Sequence, residues 1–388
     1  MRSLYLLGAT GSIGRQVLDV ADATPGAFRI AVLTADTDIE TMTVLIQKYQ
    51  PEFAAMNDAA AAETLAMRFP DLEIGSGKAG LVRAAAWNPG DKTGLLVNAI
   101  VGVAGLEPTI AALGVKRTVA LANKETLVVG GAIVMELARK NGVAILPVDS
   151  EHSAIWQCLN GEDLASVERL IITASGGAFR DKTRAELAGV TPAEALCHPN
   201  WNMGRKITID SATMMNKGFE VIEAMHLFGL PLDRIDCVLH RESYVHSLVE
   251  FIDGSLIAQI SSHDMRLPIS YALHHPTRTP NPTARLDLAH IGELSFAPID
   301  FDRYPCLRYA YEAAARGGNA PAALNAANEV AVALFLAGTI PFLTIEAIVH
   351  QALAEVAFIE RPTLAELLET DAAVRTAVTG RYPRPNLI

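Results

Sequence analysis

No run of five or more basic residues occurs anywhere in this 388-residue chain. Lys and Arg number 32 against 43 Asp and Glu, a formal charge of −11. A nucleic-acid partner therefore has no electrostatic footprint, although a few local cations can still hold one phosphate against an acidic background. Cysteine is nearly as scarce. The four residues Cys158, Cys197, Cys237 and Cys306 form no C-x-x-C pair, which argues against a disulfide scaffold and a zinc knuckle and for a reducing compartment. A long uninterrupted apolar run is missing too. The most apolar stretch, 94–115, is broken by Asn98, Glu107 and Pro108 and reads as strand, loop and buried helix. The first eight residues enter a strand-like run with no signal-peptide pattern. Repeats and low-complexity tracts are absent as well. These shortages leave a cytoplasmic protein with neither membrane nor nucleic acid as its partner.

With 50% hydrophobic and 19% charged residues, the chain has material for two or three domains, each with its own core. Over residues 1–149, short apolar runs such as Leu4–Leu7, Ile30–Leu33, Phe53–Met56, Leu95–Ala99 and Thr118–Ala122 alternate with helical, Ala-rich stretches. Continuous apolar strands separated by helices predict an α/β domain with a Rossmann-like parallel sheet covered on both faces. From 150 to 274 the texture becomes α+β, with strands mixed among polar segments and one long helix, Ile207–Phe228. Residues 275–300 open with three prolines in nine positions, a linker signature. Residues 301–388 read as four helices with short turns, a C-terminal helical bundle.

Gly8-Ala9-Thr10-Gly11-Ser12-Ile13-Gly14 follows the first strand and opens the first helix. Glycine here lets the backbone turn tightly and approach a pyrophosphate at a helix N-terminus, which points to a dinucleotide rather than a plain turn. Asp36 lies 22 positions after Gly14, where an acid holds the ribose diol in NAD enzymes and would repel a 2′-phosphate. Capping of the next helix by Asp36 or Asp38 is the other reading. Asn123, Lys124 and Glu125 follow a strand and would face the mouth of such a site, or else start a helix. In an extended segment Asp149 and Glu151 face the same side and suit one hard cation; alternatively Asp149 or Ser150 heads a helix.

Ser175-Gly176-Gly177 offers consecutive N–H groups beside a hydroxyl, fit for an oxyanion or for a turn. The polar stretch 198–206 reads as a lid with Trp201 and Met203 as apolar tips, or with Trp201 as ordinary core. In the helix that follows, Asn216, Lys217, Glu220 and Glu223 share one face. Glu220 there could join Asp149 and Glu151 in an oxygen cage, with Asn216 and Lys217 left for substrate oxygens; a charged outer face is the alternative. Of the ten histidines only His198 has a neighbourhood suggesting ligand contact. His240, His246 and His263 read as structural, and no cysteine has an identifiable base partner.

Taken in order, the segments 8–14, 121–128, 148–154, 174–179, 198–207 and 210–220 (the last Asp-Ser-Ala-Thr-Met-Met-Asn-Lys-Gly-Phe-Glu) closely resemble those of the 1-deoxy-D-xylulose 5-phosphate reductoisomerase family. The likeness spans essentially the whole chain, including Asn325-Ala326-Ala327-Asn328-Glu329. It implies a homodimer that uses NADPH and Mg²⁺ or Mn²⁺ to rearrange and reduce a phosphorylated deoxy-sugar, by retro-aldol and aldol steps followed by hydride delivery. By the same resemblance Asp149, Glu151 and Glu220 are the metal ligands. Ser150, Ser175, Ser211, Asn216 and Lys217 hold the substrate, with Lys124 near its reacting end and His198 above it. Trp201 and Met203 belong to the closing loop, and Thr10, Gly11, Ser12, Ile13, Asn123, Glu125 and Gly204 line the cofactor. One departure stands out: Asp36-Thr37-Asp38 occupies the place of the cation-bearing triplet of many members. A semialdehyde or sugar dehydrogenase would share the glycine loop but not the oxygen set, and a nucleotide-sensing module would need a binding surface the chain does not advertise.

Overall fold

The computed structural model describes residues 1–88, 90–91 and 93–382. The end of the expected helical domain, 383–388, lies outside them. The chain forms two compact units: Met1–Leu127, Gly131–Ser153 and Asp264–Ala284 make the first, and Val128–Gly130, Ala154–His263 and Arg285–Ile388 the second.

The first unit is built on seven strands, β1 (Arg2–Leu7), β2 (Phe28–Ala35), β3 (Phe53–Met56), β4 (Ile74–Ser76), β5 (Leu95–Asn98), β6 (Thr118–Leu121) and β7 (Ile145–Pro147). They lie in the order β4-β3-β2-β1-β5-β6-β7 and every pairing is parallel. Leu4 to Leu7, Phe53 to Met56 and Leu95 to Val97 are fully buried, which is why their sequences read as unbroken apolar runs rather than alternations. The strand order reverses between β1 and β5, so the crevice where such sheets bind ligands opens at the carboxyl end of β1. Gly8–Gly14 begins at that point.

Three elements of this unit carry no strong sequence signal: the helix Ile39–Tyr49, the helix Gly77–Ala85 and β4. β4 is a three-residue edge strand, Ile-Gly-Ser, none of it buried, so no apolar run announces it. The segment 264–284 completes the unit. Its helix Arg266–His274 packs on the helix Ser12–Asp22, Arg2 Nη1 donates to Leu273 O at 3.4 Å, and the ring of His274 meets Phe28 edge-on at 4.9 Å.

The second unit combines a mixed sheet, β8 (Val167–Ala174), β9 (Ile235–Leu239), β10 (Val245–Phe251) and β11 (Leu256–Ile260), with a set of helices. The sheet order is β11-β10-β8-β9, antiparallel except for the β8–β9 pair. The helices Pro305–Arg316, Ala320–Leu336, Thr344–Glu355 and Leu364–Arg381 form the bundle. The helix expected over 207–228 is two helices, Arg205–Thr213 and Met215–Phe228, separated by Met214 at φ +63°. Both pack into the bundle: Ile209, Met215, Phe219 and Ile222 share one core with Leu324, Phe335 and Ile345. Gly218 permits the close approach, since a Cβ there would fall 2.3 Å from that of Ala310.

Candidate active site

In the first unit the glycine loop has the form a phosphate group needs. Gly8 takes φ +81°, and a Cβ on it would meet Ala99 O at 2.6 Å; one on Gly14 would meet Gly8 O at 2.2 Å. The helix Ser12–Asp22 is capped by Gly11 without any side-chain hydrogen bond, and its first turn holds no acid. Its N-terminal N–H groups thus point outward with the positive end of the helix dipole. Thr10, Gly11, Ser12 and Ile13 lie on this loop and first turn, exposed or half-buried.

Asn123 also belongs to this unit, and its role is largely architectural. Its Oδ1 caps the helix Lys124–Asn141 through Thr126 N–H at 3.0 Å, while Nδ2 donates to Ile100 O, Gly102 O and Glu125 Oε2. The helix-start reading of this segment therefore holds, and it fixes Glu125 beside Asn123. Gly204, the remaining residue expected near the cofactor, belongs to the second unit, where it is the N-cap of Arg205–Thr213.

The acidic triplet starts a helix as well. Ser150–Cys158 is helical, so the extended arrangement expected for Asp149 and Glu151 is replaced by one in which Asp149 Oδ1 accepts from Glu151 N–H at 3.2 Å. Ser150 Oγ donates to Glu151 Oε2, and Lys124 Nζ pairs with Asp149 Oδ2, both side chains largely buried. Burial alone would raise the Asp149 pKa. The charges of Lys124 and of His152 outweigh it and hold the carboxyl well below the usual carboxylate range. His152, fully buried with Nδ1 3.7 Å from Asp149 Oδ1, is a neighbour the sequence reading passed over. Its signal was the i, i+3 spacing from Asp149 on a helix.

The second unit gathers Ser175, His198, Ser211, Asn216, Lys217 and Glu220. Gly176 and Gly177, at φ +83° and +69°, turn the chain sharply after β8. A Cβ on Gly177 would meet Ser211 O at 2.5 Å, so glycine is what lets the Ser175 loop lie directly on the Ser211 helix. That helix is anchored from behind: buried Asp210 pairs with Lys206 Nζ at 2.8 Å and accepts from Asn328 Nδ2 at 2.8 Å.

His198 ties the lid to the serine. Its Nδ1 accepts from Asn200 N–H at 3.1 Å and Trp201 N–H at 2.9 Å, so the ring proton is on Nε2, which donates to Ser175 Oγ at 3.0 Å. Gly177 N–H also donates to Ser175 Oγ, at 3.2 Å. With both acceptor positions of the hydroxyl filled, its own hydrogen is left to donate. Trp201 is half-buried, with its ring edge-on to His246 and His263 at 5.9 and 5.4 Å; Met203 is half-buried and Gly204 exposed in the irregular stretch 201–204.

The helix face carrying Asn216, Lys217 and Glu220 is not a charged outer face. Lys217 is 4% and Glu220 1% exposed. Glu220 receives Lys217 Nζ on one oxygen and Asn216 Nδ2 on the other, while Asn216 Oδ1 is buried without a hydrogen-bond partner. An orphaned acceptor of this kind marks a place where a ligand hydroxyl or amide would donate.

His240 has both ring nitrogens engaged: Nδ1 bonds Ser295 O and lies 3.1 Å from Glu242 Oε2, and Nε2 accepts from Val245 N–H. The four cysteines are free, and burial pushes the Cys158 thiol to about 11 and Cys237 to about 12, so neither is a ready nucleophile. Burial lowers His198, His226 and His246 to about 4 each. Unfolding restores an ordinary value near 6.5, so the unfolded chain takes up more protons and stability falls as pH drops from about 6.5 towards 4. Urea midpoints at pH 7.5 and 5.0 check this; an equal or higher midpoint at pH 5.0 contradicts it.

Sequence models of the 1-deoxy-D-xylulose 5-phosphate reductoisomerase match residues 4–131, and models of its C-terminal domains match residues 145–228 and 260–377. The 1-deoxy-D-xylulose 5-phosphate reductoisomerase of Geobacillus kaustophilus is 54% identical over 97% of this chain and 99% of its own length. The chain belongs to this family. The Bacillus subtilis reductoisomerase is 53% identical over 98% of this chain and 99% of its own. Among solved structures, a reductoisomerase in complex with NADPH, fosmidomycin and magnesium is 40% identical with a TM-score of 0.93, covering 98% of each chain. The Zymomonas mobilis reductoisomerase in complex with NADPH is 40% identical with a TM-score of 0.90, over 99% of this chain and all of that one.

Proposed function

We infer that this chain is an oxidoreductase that converts 1-deoxy-D-xylulose 5-phosphate to 2-C-methyl-D-erythritol 4-phosphate, with NADPH and a divalent cation. The observation that carries the reading is 54% identity across nearly the full length of both chains. The residues fit the cofactors. A glycine cradle that a Cβ would fill and an uncapped helix N-terminus suit the pyrophosphate of a dinucleotide. The expected ligands, Asp149 and Glu151 in the first unit and Glu220 in the second, are all carboxylates, the chemistry that suits a hard cation such as Mg²⁺ or Mn²⁺. When bound, that cation supplies Lewis-acid polarisation of substrate oxygens.

The chain's own residues do the rest. Asp149 is already ionised and needs no proton loss to bind a cation. In the second unit Ser175 presents a hydroxyl hydrogen, Asn216 an acceptor and Lys217 an ammonium group, the chemistry that grips a polyhydroxylated phosphate. His198 stays neutral at working pH, so it positions Ser175 without adding charge. Trp201 and Met203 supply the apolar cover that keeps water from a reacting carbonyl. Chelator-sensitive loss of nicotinamide absorbance with Mn²⁺, NADPH and 1-deoxy-D-xylulose 5-phosphate tests the reading. Folded, metal-loaded protein that oxidises nothing would overturn it.

We propose further that two copies pair through β11. This edge strand has a neighbour on one side, and Leu256, Ile257 and Ile260 are exposed on it. An open apolar edge is a liability unless covered. A molar mass in solution equal to one chain would refute the pairing. No helix among the described residues is long and apolar enough to cross a membrane. Four free cysteines suit a cytoplasmic setting.

A further inference from the structure

β2 ends at Ala35, and Asp36 is the next residue, exposed at the carboxyl edge of the parallel sheet. The glycine loop is fastened to the same place: Thr34 Oγ1 accepts from Gly8 N–H at 3.1 Å, and Thr34 O from Ala9 N–H at 2.7 Å. A dinucleotide whose pyrophosphate rests on this loop carries its adenosine ribose to the end of β2, the neighbour of β1 on the adenosine side of the switch point. Asp36 is not consumed by helix capping. That task falls to Asp38, which accepts from Thr41 N–H at 3.0 Å at the start of Ile39–Tyr49. One oxygen of Asp36 accepts instead from Asn57 Nδ2 at 2.9 Å, so the residue following β3 holds the carboxylate at the end of β2. The cation on the facing helix, Arg15, donates through Nε to Thr10 O at 2.8 Å, and its charge acts on Asp38. Among the described residues Asp36 itself has no cationic partner.

We propose that Asp36 sets the balance between the two nicotinamide cofactors. Its carboxylate accepts a hydrogen bond from the ribose 2′-hydroxyl of NADH and repels the 2′-phosphate of NADPH, so the chain separates the two only weakly. This deepens the reading given above and rests on it, because the Gly8–Gly14 loop must hold a nicotinamide dinucleotide. The side chain is exposed and screened by salt, which limits the size of the effect.

The test is calorimetric titration of the metal-free, full-length protein and its Asp36→Asn variant with NADPH and NADH separately, at one ionic strength. Competition by 2′,5′-ADP and 5′-AMP isolates the ribose end. The variant keeps the size of the side chain and an acceptor for Asn57, and its melting temperature checks the fold. The ratio of NADPH to NADH affinity is expected to rise about tenfold in the variant, with 2′,5′-ADP gaining and 5′-AMP not. An unchanged ratio in a folded variant overturns the proposal while leaving the dinucleotide reading intact. A wild-type chain that binds neither cofactor overturns both.

Discussion

Glu220→Gln is expected to lower kcat by about 10³-fold, the scale of several kcal/mol that a Lewis acid contributes to charge stabilisation. The residue is 1% exposed and receives an ammonium and an amide, one on each oxygen. A carboxylate buried this deeply is costly unless something positive is always near it, and Lys217 serves in the protein as it stands. The glutamine is isosteric but neutral, so it removes the proposed metal ligand while filling the same space. It also takes the Glu220 charge away from the buried Lys217 ammonium, so a modest loss of melting temperature should accompany the change. The informative readouts are Mn²⁺ affinity, kcat at saturating Mn²⁺, and NADPH affinity measured separately. The first two should collapse and the third should stay within about twofold, since Glu220 belongs to the second unit and the glycine loop to the first. Wild-type kcat in the variant would sink the ligand assignment. Glu220→Asp, which keeps the charge on a shorter stem, should recover part of the metal affinity.

Gly14→Ala is expected to weaken cofactor binding by about 100-fold, the order of a lost anion site at a helix terminus plus the displacement of its loop. The position is helical, so conformational preference is not the obstacle. The added Cβ would lie 2.2 Å from Gly8 O and 2.7 Å from Ala9 Cα, both backbone atoms that no rotamer change can move. Relief requires the loop to lift away from the helix, which opens the cradle. Gly114→Ala is the matched control: nothing lies within 4 Å of a Cβ there, and it ends the helix Leu106–Gly114 of the same unit. Equilibrium titration with NADPH should show the loss in the first variant and none in the second. Equal affinities in the two would contradict the assigned path of the pyrophosphate.

The glycine loop, the buried parallel strands and the acidic triplet were legible because each has a local cause. Glycine answers a steric demand, an apolar run answers two-sided burial, and Asp-Ser-Glu after a strand answers a helix start. What escaped reading depended on distant partners. Nothing in Ala212-Thr213-Met214-Met215 announces a left-handed residue, since Met is a good helix former; the break at Met214 follows from packing both helices on the bundle. The burial of Lys217 and Glu220 is likewise set by elements far along the chain, so their spacing alone left a charged outer face open as the alternative. The tether between Asp210 and Asn328 joins residues 118 positions apart and leaves no local trace. β4 is too short to carry a pattern.

The first unit also has a history imposed by the order of synthesis. Its sheet is complete once β7 has left the ribosome, yet the helix Arg266–His274 that covers Ser12–Asp22 is encoded more than a hundred residues later. While the intervening chain emerges at ~5–20 residues per second, one flank of the nascent sheet domain stays uncovered for several seconds.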